Sequence, residues 1–430
     1  MPLRLDSAQS DFEQRFSDLL GAKREASKDV NDSVATIIAD VRTRGDAAVA
    51  ELTNKFDRAN VTPATLAFSA DEIAAAAARV PDHVRTALQT AHDRIKAHHE
   101  KQKPQDHVYT DALGVTLGSR WTAVDAVGIY VPGGLASYPS SVLMNAVPAH
   151  VAGVSRIAMV VPTPNGEINP TVLAAAQIAG ITEIYRIGGA QAVAALAYGT
   201  ETIARVDKVT GPGNAYVAAA KRQVFGQVGI DMIAGPSEVL VIADRSANPA
   251  WVAADLIAQA EHGAGAQSIL VTTDTKLADA VGAEVDRQLA LLPKQAIARE
   301  GWDEFGAIIT VASLDQAADL ANRIASEHVE IATDDPQALV PQIRHAGAIF
   351  LGHHTPEAIG DYVGGSNHVL PTARSARFAS GLGVLDFMKR TSLLGCTPSS
   401  LAALAEPAVT IAGVEDLDGH GRSISIRLNR

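Results

Sequence analysis

The sequence contains a single cysteine, Cys396, among its 430 residues. One thiol excludes an internal disulfide and any zinc site built on several cysteines, which fits a reducing compartment. Cys396 lies in the apolar run 393–397 and has no base nearby in sequence, so we expect a small buried core residue rather than a nucleophile. Aromatic residues make up only 4% of the chain, a composition that suits many closely packed helices on parallel sheets.

Long hydrophobic runs are also absent. The most apolar stretch, residues 141–164, is interrupted by Asn145, Pro148, His150 and Arg156, so the sequence predicts no transmembrane span. The N-terminus meets acidic residues at once and has no apolar signal region. The net charge of −12 argues against nucleic acid or an anionic membrane as a partner. We therefore expect a soluble, cytoplasmic protein.

The chain also lacks the G-x-G-x-x-G fingerprint of common dinucleotide-binding domains. It has instead two series of alternating strand and helix patterns, with Gly-rich turns after several strands. The predicted strands are 127–130, 156–161, 183–187 and 206–209, followed by 239–242, 268–272, 307–311, 329–332 and 348–351. This rhythm predicts an α/β fold of two doubly wound, incomplete Rossmann-like domains with small N- and C-terminal extensions.

We expect four regions along the chain. Residues 1–24 form a charged N-terminal arm, and residues 25–124 join residues 239–380 in the first α/β domain. Residues 125–238 form the second α/β domain, and residues 381–430 form a C-terminal unit. A unit of that length has too little core to stand alone, so it must pack on something else.

The most informative stretch is a predicted helix over 251–262. Asn248 followed by Pro249 is typical of a helix start, and Gly263 suits a left-handed C-cap. Residues three apart share a helix face, so Gln259 and His262 point the same way and form a plausible half of a zinc site. Glutamine is an unusual ligand, and a polar helix end facing solvent is the alternative.

Two other polar groups are candidates for the same site. Glu327 and His328 lie where a predicted helix gives way to a strand, and such an irregular junction allows neighbours to serve one site as acid and base. Asp361 and His368 lie in a polar, Gly-rich loop, where a carboxylate would complete a metal set. Surface polarity is the alternative for the Glu-His pair.

Two Gly-rich turns can offer backbone N–H groups to a pyrophosphate at a helix N-terminus. They are Gly-Gly-Ala-Gln at 188–191 and Gly-Pro-Gly-Asn at 211–214. Taken singly, each is better explained as a tight structural turn.

Taken together, these motifs resemble the histidinol dehydrogenase family. The resemblance extends from GIYVPGG at 128–134 to the carboxyl terminus. Its most specific part leads from Ile230-Asp231 through AGPSE at 234–238 to QAEHG at 259–263, and SEHVE, GDY, NHVLPT and Glu415…His420 follow in order.

The resemblance implies a zinc- and NAD-dependent, four-electron oxidation of L-histidinol through L-histidinaldehyde to L-histidine, the last step of histidine biosynthesis. By position, the zinc ligands are Gln259, His262, Asp361 and His420, and the catalytic acid–base residues are Glu327 and His328. The substrate contacts are these zinc ligands with Ser237, His328, His368 and Glu415, and the NAD contacts are Tyr130, Gln191 and Asn214. His420 and Glu415 reach the site from a partner subunit, which implies a homodimer with shared active sites.

Three other functions compete with this interpretation. An NAD-dependent dehydrogenase of the same superfamily that oxidises another polar alcohol is the nearest. A zinc hydrolase belongs to a different reaction class, since zinc with a Glu-His pair supports hydrolysis. A non-enzymatic binding protein would not need ligands, an acid–base pair and nucleotide turns together.

Overall fold

The computed structural model describes residues 1–21, 28–133, 138–233, 235–262, 265–293 and 295–429. Two parallel sheets and one small antiparallel sheet form its frame. No helix in these ranges is long and apolar enough to cross a membrane. The α/β class predicted from the alternating patterns is confirmed.

The first parallel sheet has five strands, of which the central one is entirely buried. Its strands are β4 (Ala126–Tyr130), β5 (Arg156–Val160), β6 (Glu183–Tyr185), β7 (Lys208–Thr210) and β8 (Gly229–Ile230). They are arranged in the order β6-β5-β4-β7-β8. The chain thus leaves β4 in one direction and later returns to its other side at β7, so the gap between these two strands is the topological switch point of the sheet.

Helices cover both faces of the five-stranded sheet, because alternate residues of its strands point to opposite sides. On one face pack α4 (Ala70–Ala78), α5 (Asp82–Glu100), α6 (Pro139–Ala152) and α7 (Pro170–Ile178). On the other pack α2 (Lys28–Arg44), α3 (Asp46–Asp57), α8 (Gly189–Tyr198) and α9 (Ala215–Val224).

This packing differs from the predicted grouping of residues 25–124 with residues 239–380. The apolar faces of α2 to α5 join the two cores of the five-stranded sheet. An amphipathic helix specifies that it has a buried face but not which sheet it covers, so the sequence pattern left this pairing open.

The second parallel sheet has six strands in the order β1-β11-β10-β9-β12-β13. The strands are β1 (Leu3–Asp6), β9 (Glu238–Ala243), β10 (Gln267–Thr272), β11 (Ala307–Thr310), β12 (His328–Ala332) and β13 (Ala348–Leu351). Its helices are α1 (Phe12–Gly21), α10 (Pro249–Ala260), α11 (Thr275–Leu289), α12 (Gln295–Phe305), α13 (Leu314–Ile324), α14 (Pro336–Leu339) and α15 (Glu357–Tyr362).

The N-terminal residues are part of this second sheet rather than a separate arm. Strand β1 pairs in parallel with β11, from Leu3 opposite Ala307 to Asp6 opposite Thr310. Phe12 and Phe16 of α1 are buried in the core beside it. The predicted arm over 1–24 therefore folds back on the domain, as far as its described residues show.

The small antiparallel sheet joins the hairpin β2 (His107–Thr110) and β3 (Thr116–Ala123) to β14 (Met388–Gly395). Helices α16 (Pro398–Val414) and α17 (Asp418–Ser425) follow β14. Cys396, expected in the core, is exposed instead. The expectation is wrong because the apolar run around it belongs to a sheet with an open face, where Leu394 is 74% exposed.

Candidate active site

Helix α10 brings Gln259 into the interior of the six-stranded domain. The helix begins as predicted, since the Asn248 side chain accepts the N–H of Ala250. Gln259 is fully buried, whereas His262 lies just past the helix end and is exposed. Gly263, the expected C-cap, lies outside the described residues.

The acid–base pair lies at the amino ends of β9 and β12, two neighbouring parallel strands. Ser237 immediately precedes β9, Glu327 immediately precedes β12, and His328 is the first residue of β12. Doubly wound sheets usually bind ligands at the carboxyl edge, so the sequence rhythm alone does not predict this position. Both neighbours reach one site because α13 ends on Ala325 with a left-handed φ of 52°, which makes the junction irregular.

Glu327 is a buried carboxyl group held by two donors. Its Oε2 accepts hydrogen bonds from the Ser237 hydroxyl at 2.5 Å and from the Glu238 backbone N–H at 3.1 Å. Burial raises the pKa of Glu327 to about 8, although both hydrogen bonds act in the opposite direction. The group therefore titrates close to neutral pH, as a general base must.

His328 is a buried imidazole with one nitrogen committed and one free. Its Nδ1 lies 3.0 Å from the backbone oxygen of Glu238, an acceptor that requires the proton on Nδ1. Its Nε2 is buried without a hydrogen-bond partner among the described residues. Burial lowers the pKa of His328 to about 3, so the ring is neutral and Nε2 carries an available lone pair.

A third buried acid, Glu357, was missed by the sequence reasoning. Its Oε1 lies 3.3 Å from Nδ1 of His328, and burial raises its pKa well above the usual value. Glu357 precedes Asp361 by four residues on α15, so both occupy one helix face. This four-residue spacing from Asp361 is the sequence signal from which Glu357 could have been predicted. The helix has only six residues, however, and its sequence shows no clear periodicity.

Asp361 lies nearest the other ring nitrogen of His328, and His368 lies beside Asp361. Asp361 Oδ1 is 4.0 Å from Nε2 of His328, and desolvation raises the pKa of Asp361 to about 6 while the nearby His262 acts to lower it. The ring of His368 lies with Nδ1 3.0 Å from the Asp361 backbone oxygen and Nε2 3.3 Å from the Ser141 hydroxyl. Desolvation lowers the pKa of His368 to about 4, so it is neutral.

The residues around Asp361 fit a zinc ion. The Nδ1 of His262 lies 3.1 Å from the backbone oxygen of Ala258 and donates its proton there. The lone pair of Nε2 is then available to a metal, as is usual for a metal-bound histidine. A carboxamide binds zinc through its oxygen, and the oxygen of buried Gln259 accepts a long hydrogen bond of 3.4 Å from the Ser237 hydroxyl, while its nitrogen has no partner among the described residues. Amide, imidazole and carboxylate together make an N/O ligand set that suits zinc.

An overlapping group consists of His328, Glu357 and Asp361, whose ligand atoms lie within 4.8 Å of one another. It shares Asp361 with the predicted set. The hydrogen bond from Nδ1 of His328 to the Glu238 carbonyl leaves its Nε2 available, so this group is a second candidate for a metal site among the described residues.

The residues predicted to contact NAD surround the switch point of the five-stranded sheet. Tyr130 ends β4, and its hydroxyl accepts the N–H of Gly189 at 3.0 Å. Gln191 is buried in the first turn of α8. Asn214 follows β7 and caps α9 by accepting the N–H groups of Tyr216 and Val217. Both Gly-rich turns thus lead into helix N-termini, which attract phosphate groups.

Glu415 and His420 lie at the C-terminal helices, far in sequence from the cluster around His328 and Asp361. Glu415 caps the C-terminal end of α16, His420 lies on α17, and both are exposed. Neither is bonded to the site residues in the part of the chain that the structure describes. The single chain thus assembles Ser237, Glu327, His328, Asp361 and His368 in one place, but not the two C-terminal candidates.

Comparisons with known proteins identify the family to which the chain is similar. The family model described as histidinol dehydrogenase matches residues 21–428. The chain is 65% identical over 429 residues to histidinol dehydrogenase of Agrobacterium fabrum and 63% identical over 430 residues to that of Ruegeria pomeroyi, covering 100% of this chain and 99% of each relative. The crystal structure of histidinol dehydrogenase from Elizabethkingia anophelis superposes with a TM-score of 0.95 at 37% identity, covering 100% of this chain and 98% of that one.

Proposed function

The chain belongs to the histidinol dehydrogenase family, and we propose that its Glu327 and His328 divide the acid–base chemistry of the family's reaction. The enzyme is a zinc- and NAD-dependent oxidoreductase. It oxidises L-histidinol through L-histidinaldehyde to L-histidine, the last step of histidine biosynthesis. NAD+ is the hydride acceptor in both oxidations, so one histidinol consumes two NAD+.

The observation that carries the assignment of His328 is its free Nε2. Because Nδ1 donates to the Glu238 carbonyl, Nε2 is the only position on the ring that can accept a proton. In the first oxidation the hydroxyl proton of histidinol moves to this nitrogen. At the same time a hydride leaves the carbon that bears the hydroxyl group and passes to NAD+, and the product is the aldehyde. The low pKa of the buried ring keeps it neutral and ready at working pH.

Glu327 serves the second oxidation, which needs a water molecule. In its ionised form the carboxylate takes a proton from water as the water oxygen bonds to the aldehyde carbon. The protonated His328 returns its proton to the former carbonyl oxygen, so the aldehyde hydrate forms and the imidazole is neutral again. The hydrate then loses a hydride from carbon to NAD+ and a hydroxyl proton to His328, which leaves the carboxylic acid of histidine. The pKa near 8 makes Glu327 a stronger base than an ordinary carboxylate.

We assign the zinc to Gln259, His262, Asp361 and His420. Bound zinc supplies a positively charged anchor for the imidazole and amine nitrogens of histidinol. Ser237, His368 and Glu415 contact the substrate beside these ligands, and Tyr130, Gln191 and Asn214 contact NAD+.

The assignment of His420 and Glu415 requires a second subunit. The C-terminal unit carries exposed apolar side chains on and around α16 and α17, including Val414 at 81% and Ile411 at 59% exposure. Such surface marks an interaction site. We therefore place residues 381–430 in a homodimer interface that delivers His420 and Glu415 to the partner's site, in a cytoplasmic enzyme.

Two substrates separate the roles of the acid–base pair. The His328→Asn variant should lose alcohol oxidation by about 10²–10⁴-fold, a usual range for a general base. The Glu327→Gln variant should lose mainly the oxidation of supplied L-histidinaldehyde. Equal losses in both steps for both variants would contradict the division.

Subunit mixing tests the shared site. His262→Asn and His420→Asn proteins are each inactive, but a heterodimer has one site with both lesions and one intact site. Random exchange makes half of the dimers heterodimers, so about a quarter of the sites recover. A mixture that stays inactive, although mass spectrometry detects the heterodimer, places His420 in its own chain's site.

A further inference from the structure

A buried ion pair lies beneath the turn that carries Asn214. Lys221 of α9 and Asp231, which directly follows β8, have side chains that are only 2% and 1% exposed. The ammonium group of Lys221 pairs with Oδ1 of Asp231. None of the roles assigned above uses either residue.

Both partners also hold the backbone of one residue of the turn, Gly211. The backbone N–H of Gly211 donates to Oδ2 of Asp231 at 2.8 Å, and Nζ of Lys221 donates to the backbone oxygen of Gly211 at 3.0 Å. The backbone N–H of Gly211 is thus held by the negative charge of Asp231, and its backbone oxygen is held by the positive charge of Lys221. Hydrogen bonds to charged groups are the strong ones, so this residue is held more firmly than an ordinary loop residue.

Gly211 needs this restraint because its conformation is restricted. Its φ of +110° disfavours any residue with a side chain. A Cβ at this position would lie 2.1 Å from the backbone oxygen of Tyr130, so the turn passes directly against the end of β4. The ion pair therefore holds the residue that lies directly against the end of β4.

Stability alone does not account for a buried Lys–Asp pair. Taking two charges out of water is costly, and apolar residues of similar size often replace such pairs at no loss of stability. A buried ion pair is useful where function requires one fixed backbone geometry, even though burying the two charges costs free energy. At this position the pair holds Gly211, which precedes Asn214 by three residues in the turn, and Asn214 caps α9.

We propose that Lys221 and Asp231 are positioning residues for the dinucleotide, which fix the backbone of Gly211 so that the turn presents Asn214 to NAD+. This inference rests on the proposed NAD contacts. It adds two residues that touch no substrate and act only through the turn.

The test replaces the pair by apolar residues of similar volume, in the Lys221→Met/Asp231→Leu double variant. We expect the KM for NAD+ and the Kd for NADH, measured by fluorescence titration, to rise by about tenfold to a hundredfold, the usual effect of a small misplacement. The KM for histidinol and kcat at saturating NAD+ should stay close to wild type. A wild-type KM for NAD+ in the folded double variant would overturn the proposal, as would an equal rise in both KM values.

A matched control is the pair Arg156–Glu183, at the opposite, amino edge of the same sheet, with both side chains 28% exposed. The Arg156→Met/Glu183→Leu variant should leave the KM for NAD+ unchanged. If the Lys221/Asp231 double variant does not fold, Asp231→Asn keeps an acceptor for the Gly211 N–H but removes the charge. It should raise the KM for NAD+ by a smaller factor, and no rise in this variant overturns the proposal.

Asn214→Ala separates this inference from the assignment on which it rests. If this variant leaves the KM for NAD+ unchanged, the proposed NAD contact itself is wrong. If Asn214→Ala raises that KM but the ion-pair variants do not, the contact stands and the positioning role alone fails.

Discussion

The hydrogen bond between Ser237 and Glu327 sets the pH at which the second oxidation becomes active. Burial disfavours the charged form of Glu327, so its pKa is raised and the base is available only as the pH rises through that value. The Ser237 hydroxyl stabilises the ionised form at 2.5 Å and lowers the pKa. Ser237→Ala removes this stabilisation, so the pKa must rise.

The size of the shift follows from the strength of the bond. A hydrogen bond to a charged group contributes about 1.5–3 kcal/mol, and one pKa unit corresponds to about 1.4 kcal/mol. The pH midpoint for the oxidation of supplied L-histidinaldehyde should therefore move upward by about one to two units. A bound cation lowers the pH midpoint of the wild type and of Ser237→Ala alike. The quantity to compare is therefore the difference between the two midpoints.

The assay measures kcat for NADH formation from the aldehyde across the neutral and alkaline range, at saturating substrates because Ser237 also contacts the substrate. Ser326→Ala is a matched control, since the buried Ser326 hydroxyl has no hydrogen-bond partner in the described part of the chain and lies next to Glu327. Its midpoint should equal that of the wild type. An unchanged or lower midpoint in Ser237→Ala would refute the account of Glu327.

Three further outcomes follow from the structure. His262→Asn should lower the zinc bound per subunit, measured by metal analysis after gel filtration, whereas His354→Asn, on an exposed histidine of another loop, should not. Cys396→Ser should keep full activity, because the thiol is exposed and no step uses it; a loss of turnover would contradict the acid–base mechanism. Gly211→Ala should lower the thermal midpoint and raise the KM for NAD+, because its Cβ would lie 2.1 Å from the Tyr130 oxygen; a wild-type KM would argue against the tight switch point.

The sequence was sufficient to predict the elements whose signals are local. Strand β4 is a continuous apolar run, and so is β9 after Glu238, as is typical of parallel strands covered on both faces. The start of α10 followed from Asn248 and Pro249, whose capping role needs no tertiary contact. The irregular junction at Glu327 and His328 was also readable as a change of periodicity.

The features that depend on distant contacts were not readable. Nothing local tells α2 to α5 which sheet to cover, and β1 is a four-residue edge strand that forms only because β11 lies beside it. Glu357 joins the site through tertiary packing of a short helix. The position of the site at the amino ends of β9 and β12 depends on which strands become neighbours, which is a property of the whole sheet.

The most direct test of the account is NADH formation from L-histidinol before chelation, after exhaustive removal of metal, and after zinc is added back. We expect two NADH for each histidinol consumed, loss of turnover in the metal-free enzyme with its circular dichroism retained, and recovery with zinc. Formation of NADH also excludes a zinc hydrolase and a non-enzymatic binding protein. Full activity in protein shown by analysis to be free of metal, or one NADH per histidinol, would contradict the account.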